Sequence, residues 1–338
     1  MRPPKRNPLL AVLAALALVL ASCGDDDGDV ATSGDAAEVT TEPGTETDTE
    51  TETAADDEAT FPVTVTVGGT DTTIEARPES IVVLSPTGTE MLFAIGAGDQ
   101  VVAVDDYSNH PAEAPVTDLS AYDPNLEAII AEDPDLVVLS DDTNDVVSGL
   151  AAVDVPTIVL DAAATLDDTY AQIEALGAAT GHIGDAAEVV ANMQSDIEAL
   201  VADLPARDEP LTYYHELDDT YYSITSDTFI GELYALAGLQ SIADDAEGAA
   251  DAGGYPQLSA EHIIASDPDL ILLADTKCCG QDATTVTARP GWGEMTAVQQ
   301  GRIVELDDDI ASRWGPRVVD LLEVIIEATA GVEAGAAG

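Results

Sequence analysis

Two stretches of this chain match along their whole length. The first is Leu126-Glu127-Ala128-Ile129-Ile130-Ala131-Glu132-Asp133-Pro134-Asp135-Leu136-Val137-Val138-Leu139. The second is Ala260-Glu261-His262-Ile263-Ile264-Ala265-Ser266-Asp267-Pro268-Asp269-Leu270-Ile271-Leu272-Leu273. Each reads as a short helix, an Asp-Pro-Asp turn and a strand. The proline ends the helix, because it disfavours helical geometry in the residue before it. The apolar run after the turn suits a strand covered on both faces of a parallel sheet. One copy in each half makes the body a duplication.

A second pair agrees. Leu92-Phe93-Ala94-Ile95-Gly96 resembles Leu233-Tyr234-Ala235-Leu236-Ala237-Gly238, and each follows a strand-like stretch, Ile81-Val82-Val83-Leu84 and Tyr221-Tyr222-Ser223-Ile224. Thr87 and Glu90 fit a capping box at the first of these helices. Between the halves, Tyr170, Ile173, Leu176, Val189, Val190, Met193, Ile197 and Leu200 recur at three- and four-residue spacing, as on the apolar face of a helix. Gly181 and Gly184 are placed to break or bend it, and Pro205 follows its end. The predicted fold is α/β: two Rossmann-like lobes, residues 61–165 and 206–330, joined by one long helix over 166–205, with a ligand cleft between the lobes. Residues 61–76 read as a small hairpin turning at Gly68-Gly69.

The N-terminus differs in kind. Arg2, Lys5 and Arg6 precede an apolar run from Leu9 to Leu20, then Ala21-Ser22-Cys23. A basic region, a short apolar region and small residues at the cut make residues 1–22 a secretory signal. The small-small-Cys ending resembles the lipobox of bacterial lipoproteins, which makes Cys23 the lipidated first residue of the mature chain. Residues 23–60 hold Asp, Glu, Thr, Ala and Gly without Lys, Arg or Trp. So little apolar surface predicts an acidic disordered tether, reaching about 35 Å root-mean-square. The expected location is extracytoplasmic, anchored to the cell membrane.

A net charge of −56 repels nucleic acid and suits solubility in a saline setting, with electrostatic steering of a cationic ligand as the alternative. The four histidines, His110, His182, His215 and His262, sit in no G-x-S-x-G or H-E-x-x-H context, and no Gly-rich phosphate loop is present. The chain therefore reads as a binder without catalysis or cofactor. Cys278 and Cys279 are adjacent. In an exported chain they read as a vicinal disulfide, with two free thiols or a metal site as the alternatives. A different alternative for the whole protein is a binder of free transition-metal ions, with His110 and His215 facing the cleft from opposite lobes near Glu216, Asp105 and Asp106.

Three further stretches carry a family resemblance. They are Arg77-Pro78-Glu79-Ser80-Ile81-Val82-Val83-Leu84-Ser85-Pro86-Thr87-Gly88-Thr89-Glu90, then Val104-Asp105-Asp106-Tyr107-Ser108-Asn109-His110-Pro111, and Ser312-Arg313-Trp314-Gly315-Pro316-Arg317. They resemble the periplasmic binding proteins for vitamin B12, ferric siderophores and haem, over essentially all of residues 77–328, and the Tyr-Ser-x-x-Pro element is most similar to the vitamin B12 binder. The resemblance implies a monomer that captures a bulky metal-complex ligand and docks on the two-fold permease of an ABC importer. It places Tyr107, Tyr122, Tyr222, Tyr255, Asp309, Arg313 and Trp314 at the ligand. The family's first-lobe cleft tryptophan falls at Ala121 here, beside Tyr122. The resemblance also gives Glu127 and Glu261, one per lobe, the role of pairing with permease arginines.

Overall fold

The computed structural model describes residues 60–336. The signal segment, Cys23 and residues 23–59 of the tether lie outside the described residues. The body opens with an antiparallel hairpin, β1 (Val63–Val67) and β2 (Thr70–Ile74), turning through Gly68 and Gly69 as expected.

The first lobe runs β3 (Ile81–Leu84), α1 (Pro86–Ala94), β4 (Val101–Val104), α2 (Leu126–Ala131), β5 (Leu136–Leu139), α3 (Val146–Ala151) and β6 (Thr157–Val159). Its parallel sheet has the order β4-β3-β5-β6. Then come α4 (Leu166–Thr180) and α5 (Ile183–Ala202). The second lobe runs β7 (Leu211–Glu216), α6 (Phe229–Leu236), β8 (Leu239–Ser241), α7 (Ala260–Ser266), β9 (Leu270–Leu273), α8 (Ala283–Thr287), α9 (Thr296–Gln299) and β10 (Ile303–Glu305). Its parallel sheet has the order β8-β7-β9-β10. Strand for strand this repeats the first. α10 (Asp308–Ala311) and α11 (Val318–Ala336) close the chain.

The repeat extends to single atoms. Asp133 and Asp267, which open the two Asp-Pro-Asp turns, both take positive φ, 53° and 43°. The last aspartate of each turn then reaches the neighbouring strand. Asp135 Oδ2 accepts from the backbone N–H of Glu79 (2.9 Å) and Ser80 (3.1 Å), just before β3. Asp269 Oδ2 accepts from the N–H of Thr212 in β7 at 2.9 Å. A carboxylate bonded to backbone N–H forms a strong, charge-assisted link, so the motif both stops a helix and registers the strand beside it.

The strands are buried on both faces. In the first sheet Ile81, Val83, Leu136 and Val138 face a central apolar cluster, while Val82, Leu84, Val137 and Leu139 pack with Ile129 of α2 and Leu150 of α3. In the second sheet Leu270 and Leu272 join the same central cluster, and Ile271 and Leu273 pack with Ile263 and Trp292. One core thus runs through both lobes, filled from the middle by α4, α5 and α11.

Three expectations need correction. The linking segment is two helices rather than one. Gly181 caps α4 at φ 85°, a conformation that costs a Cβ-bearing residue energy, and α5 turns back so that a Cβ on Gly177 would overlap Ala186. Tyr221–Ile224 is not a strand of the sheet. Leu211–Glu216 takes that place, because Asp218 bonds Thr220 in a turn and Tyr221 sits at φ 70°. Thr87 and Glu90 form no capping box: Ser85 caps α1 by accepting from Gly88 N–H, and Glu90 serves elsewhere. In addition, α11 runs to Ala336, past the expected lobe boundary at 330.

Replacing Gly177 by Val puts a branched side chain into the closest approach of α4 and α5. Overpacking of this kind costs about 1–3 kcal/mol, and a lower urea midpoint with an unchanged slope is the expected reading.

Candidate functional site

The strand ends place the site. At the carboxyl end of β3, Ser85, Pro86 and Thr87 begin α1. After β4, the Asp105 carboxylate accepts from Tyr107 N–H (2.8 Å) and Ser108 Oγ (2.7 Å), folding a tight turn that presents the Tyr107 ring. Burial pushes the Asp105 carboxyl up, against those hydrogen bonds. Ser140 and Asp141 follow β5, and Asp161 and Ala162 follow β6. These groups, with Tyr122, Asp309, Ser312, Arg313 and Trp314, line a cavity of about 520 Å³. Open α/β sheets gather ligands at this edge.

A second cavity of about 270 Å³ adjoins it, sharing Ala162, Ser312, Arg313 and Trp314. Its further walls come from the second lobe: Leu217 after β7, Phe229 and Ile230 of α6, Tyr255, and Ala274 after β9. The first-lobe half carries the acidic groups, and the second-lobe half has none. Together they form one cleft between the carboxyl ends of the two sheets.

Six of the seven residues expected at the ligand meet there: Tyr107, Tyr122, Tyr255, Asp309, Arg313 and Trp314. Tyr107 and Tyr122 stand edge to face, ring centroids 5.4 Å apart. Trp314 is held by its indole N–H, which donates to Gln172 Oε1 of α4 at 2.9 Å. Tyr222 is the exception. It pairs with Gln257 in an isolated bridge and lines neither cavity, because the positive φ at Tyr221 carries it away from the sheet end. Ala121 lies in the first-lobe wall, so the adjacent Tyr122 supplies the ring at that point of the chain.

Arg313 is the centre of the site, and its partners were not foreseen. Its Nη1 donates to Glu90 Oε1 (2.7 Å) and Asn109 Oδ1 (3.0 Å); its Nη2 donates to Tyr107 O (3.0 Å) and Asp309 Oδ1 (3.0 Å). Arg317 adds a second guanidinium to Glu90 through Nε (2.8 Å) and Nη2. Asn109 also donates to Asp309 Oδ2. Glu90 is 4% exposed and Arg313 8%. Lys277 bonds Asp307 (2.6 Å) and Asp309 (2.7 Å), and those bonds outweigh its partial burial to raise its pKa. Lys277 leads into the adjacent Cys278 and Cys279, whose sulfurs face each other. The N–H groups of Thr276, Lys277 and Cys278 all donate to the Asp308 carboxylate.

The free-metal alternative fails on position. His215 is fully buried in β7, with Nδ1 bonded to the Tyr234 hydroxyl at 2.8 Å, and burial pushes its pKa down to about 3. His110 lines a separate groove with Phe93, Glu113 and Pro316. The two do not converge, since residue 215 points into the core rather than the cleft. Among the described residues no group of three or more His, Cys, Asp or Glu is arranged to hold a metal ion. Glu216 is also taken: Arg289 grips it bidentately (2.5 and 2.6 Å) while stacking on Trp292, and Tyr214 donates to it. Beside that pair, Asp275 is fully buried with neither carboxylate oxygen hydrogen-bonded. Burial and the Glu216 charge push it up to about 7.

Glu127 and Glu261 occupy matching places, the second residue of α2 and of α7. Asn125 and Ser259 cap the two helices in the same way. Both glutamates are exposed and have no hydrogen-bond or ion-pair partner among the described residues.

Comparison with known proteins agrees with this architecture. The periplasmic binding protein family matches residues 81–310. A protein named an ABC transporter substrate-binding lipoprotein, YvrC of Bacillus subtilis, is 30% identical over 277 residues, covering 79% of this chain and 85% of that one. A protein named cobalamin-binding protein, from Halobacterium salinarum, is 30% identical over 277 residues, covering 79% of this chain and 73% of its own length. Among solved structures, the apo haem-binding protein RhuT from Roseiflexus superposes with a TM-score of 0.65 at 24% identity, covering 74% of this chain and 98% of that one.

Glu90→Ala leaves the buried Arg313 and the half-buried Arg317 without their carboxylate. Removing one member of such a group costs about 3–5 kcal/mol, a loss that urea unfolding measures directly. Asp275 gives a pH test. A carboxyl raised in the folded state stabilises fully below its unfolded value of 3.8 and loses that contribution as pH rises through about 7. The melting temperature of Asp275→Asn, relative to wild type, is therefore higher at pH 8 than at pH 5; an equal difference at both would contradict the assignment.

Proposed function

The chain belongs to the periplasmic binding protein family, and on that footing we propose that it is the extracytoplasmic solute-binding lipoprotein of an ABC importer. It captures a bulky metal-containing ligand, a cobalamin, ferric siderophore or haem, and hands it on unchanged. The observation that carries this reading is the two-part cleft, walled by Tyr107, Tyr122, Tyr255 and Trp314. Large ligands with extended faces are held by aromatic walls and a few fixed polar groups. The Bacillus relative's name supports the importer role and the Halobacterium relative's name supports a cobalamin-type ligand.

The remaining assignments rest on sequence and placement. The signal at residues 1–22 and the small-small-Cys ending support lipidation at Cys23, which with the acidic tether keeps a monomeric body near the membrane. Glu127 and Glu261 are the docking pair. Two exposed like charges at equivalent sites of a duplicated body suit a two-fold partner bearing arginines. The adjacency of Cys278 and Cys279 in an exported chain supports a vicinal disulfide.

Two measurements test this. Calorimetric titration with cyanocobalamin, haemin and a ferric siderophore should give one site per chain for at least one of them; no heat from any would sink the reading. Glu127→Arg combined with Glu261→Arg should abolish uptake by whole cells while leaving that titration unchanged, and undiminished uptake would rule out the docking pair.

A further inference from the structure

The charges around the cleft narrow the class of ligand. The two cavities are lined by four carboxylates, Asp105, Asp141, Asp161 and Asp309, and by one cation, Arg313. That cation is not available to an anion. All four N–H bonds of its two terminal nitrogens are committed, to Glu90, Asn109, Tyr107 O and Asp309. The neighbouring cations are committed too: Arg317 to Glu90, and Lys277 to Asp307 and Asp309. The carboxylates are less matched. The Asp161 carboxylate has no hydrogen-bond or ion-pair partner among the described residues, although its backbone carbonyl accepts from Gln172, and the Asp141 carboxylate accepts only from the Thr143 hydroxyl.

We infer that this cleft takes uncharged or cationic metal complexes and rejects anionic ones, with Asp141 and Asp161 as the residues that discriminate. The inference rests on the metal-complex reading above and sharpens it. A carboxylate or catecholate group entering the cleft meets net negative charge and no free donor fork. To bind the terminal nitrogens of Arg313 it must displace Glu90, Asn109, the Tyr107 carbonyl or Asp309, and displacing Glu90 strands a buried carboxylate. Asp141 and Asp161 are exposed at the cleft wall, so their effect on a charged ligand is screened by salt. A unit charge about 6 Å from one unpaired carboxylate, at an effective dielectric of roughly 40, changes affinity about tenfold. An uncharged corrinoid or a cationic hydroxamate complex meets no such barrier, and its faces can pack on Tyr107, Tyr255 and Trp314.

The test uses the full chain and four probes: cyanocobalamin, uncharged; ferrioxamine B, a cation; haemin, with two propionates; and ferric enterobactin, a trianion. Titration calorimetry at low and at raised sodium chloride compares them. The expected result is that the tighter of the first two binds at least about tenfold more strongly than either anion, with salt weakening the cation and helping the anions. Asp141→Asn with Asp161→Asn should then narrow the gap by about tenfold or more. An anion that binds as tightly as the uncharged or cationic probes overturns the inference and leaves the metal-complex reading standing, as does a gap that the folded double variant leaves unchanged. If the double variant does not fold, the wild-type ratios and their salt dependence decide. Silence from all four probes overturns the metal-complex reading, and this inference with it.

Discussion

A single carboxylate holds the two ends of the body together. Glu90, on the first helix of the first lobe, binds Arg313 and Arg317 from 223 and 227 residues further along the chain. Taking three charges out of water is costly unless every oxygen and N–H finds a partner. Here the cost is offset by bidentate geometry and by Asn109, Asp309 and the Tyr107 carbonyl around the same guanidinium. The consequence is positional. Tyr107 and Trp314, which flank the cleft from opposite ends of the sequence, are tied to one network, and their separation is fixed by it. A hydrophobic substitute of similar volume could be as stable, but it would not set the orientation of both aromatic groups.

The central core gives that network a firm base. Both sheets turn one face into the same apolar cluster, and α4, α5 and α11 fill the space between. The two lobes therefore share a core, and their relative motion must work against packed surface. The duplicated Asp-Pro-Asp turns act at the next level down. Each places a carboxylate under the start of the neighbouring strand, so the strand ends that carry the cleft residues are set in register in both lobes by the same chemistry.

The cleft divides its labour by lobe. First-lobe strand ends contribute polar and acidic groups, and the second lobe contributes Leu217, Phe229, Ile230 and Tyr255. The second lobe's own polar residues at comparable positions are turned inward. Glu216 is gripped by Arg289, and His215 is buried against Tyr234. That arrangement removes a histidine and a carboxylate that a metal site would need, and it leaves an apolar surface for a ligand face. It also fastens the loop after β9, where Gln281 accepts from Arg289 and Cys279 N–H bonds Asp275.

The duplication, the strands at Ile81–Leu84 and after the two Asp-Pro-Asp turns, the hairpin and the matched glutamates were legible from residue spacing alone, because helix stops and doubly buried strands are local patterns; the strand Leu211–Glu216 was not. Six residues that line the cleft came from the family resemblance and not from local pattern. The break in the linking segment was half-visible: Gly181 marked it, but only packing against Ala186 makes α5 fold back. Tyr222 was misplaced because a β-prone run cannot reveal a positive φ at the residue before it. Glu90 looked like a local helix cap, and His215 like a ligand facing the cleft. Their roles depend on partners with no sequence proximity: two arginines more than two hundred residues away for Glu90, and a core tyrosine behind the sheet for His215. The sequence by itself determined where helices stop, which strands are buried and that the body is built twice. Only the tertiary structure decided which charges neutralise one another, since that depends on distances between segments that local pattern does not encode. The net charge of the cleft follows from that pairing.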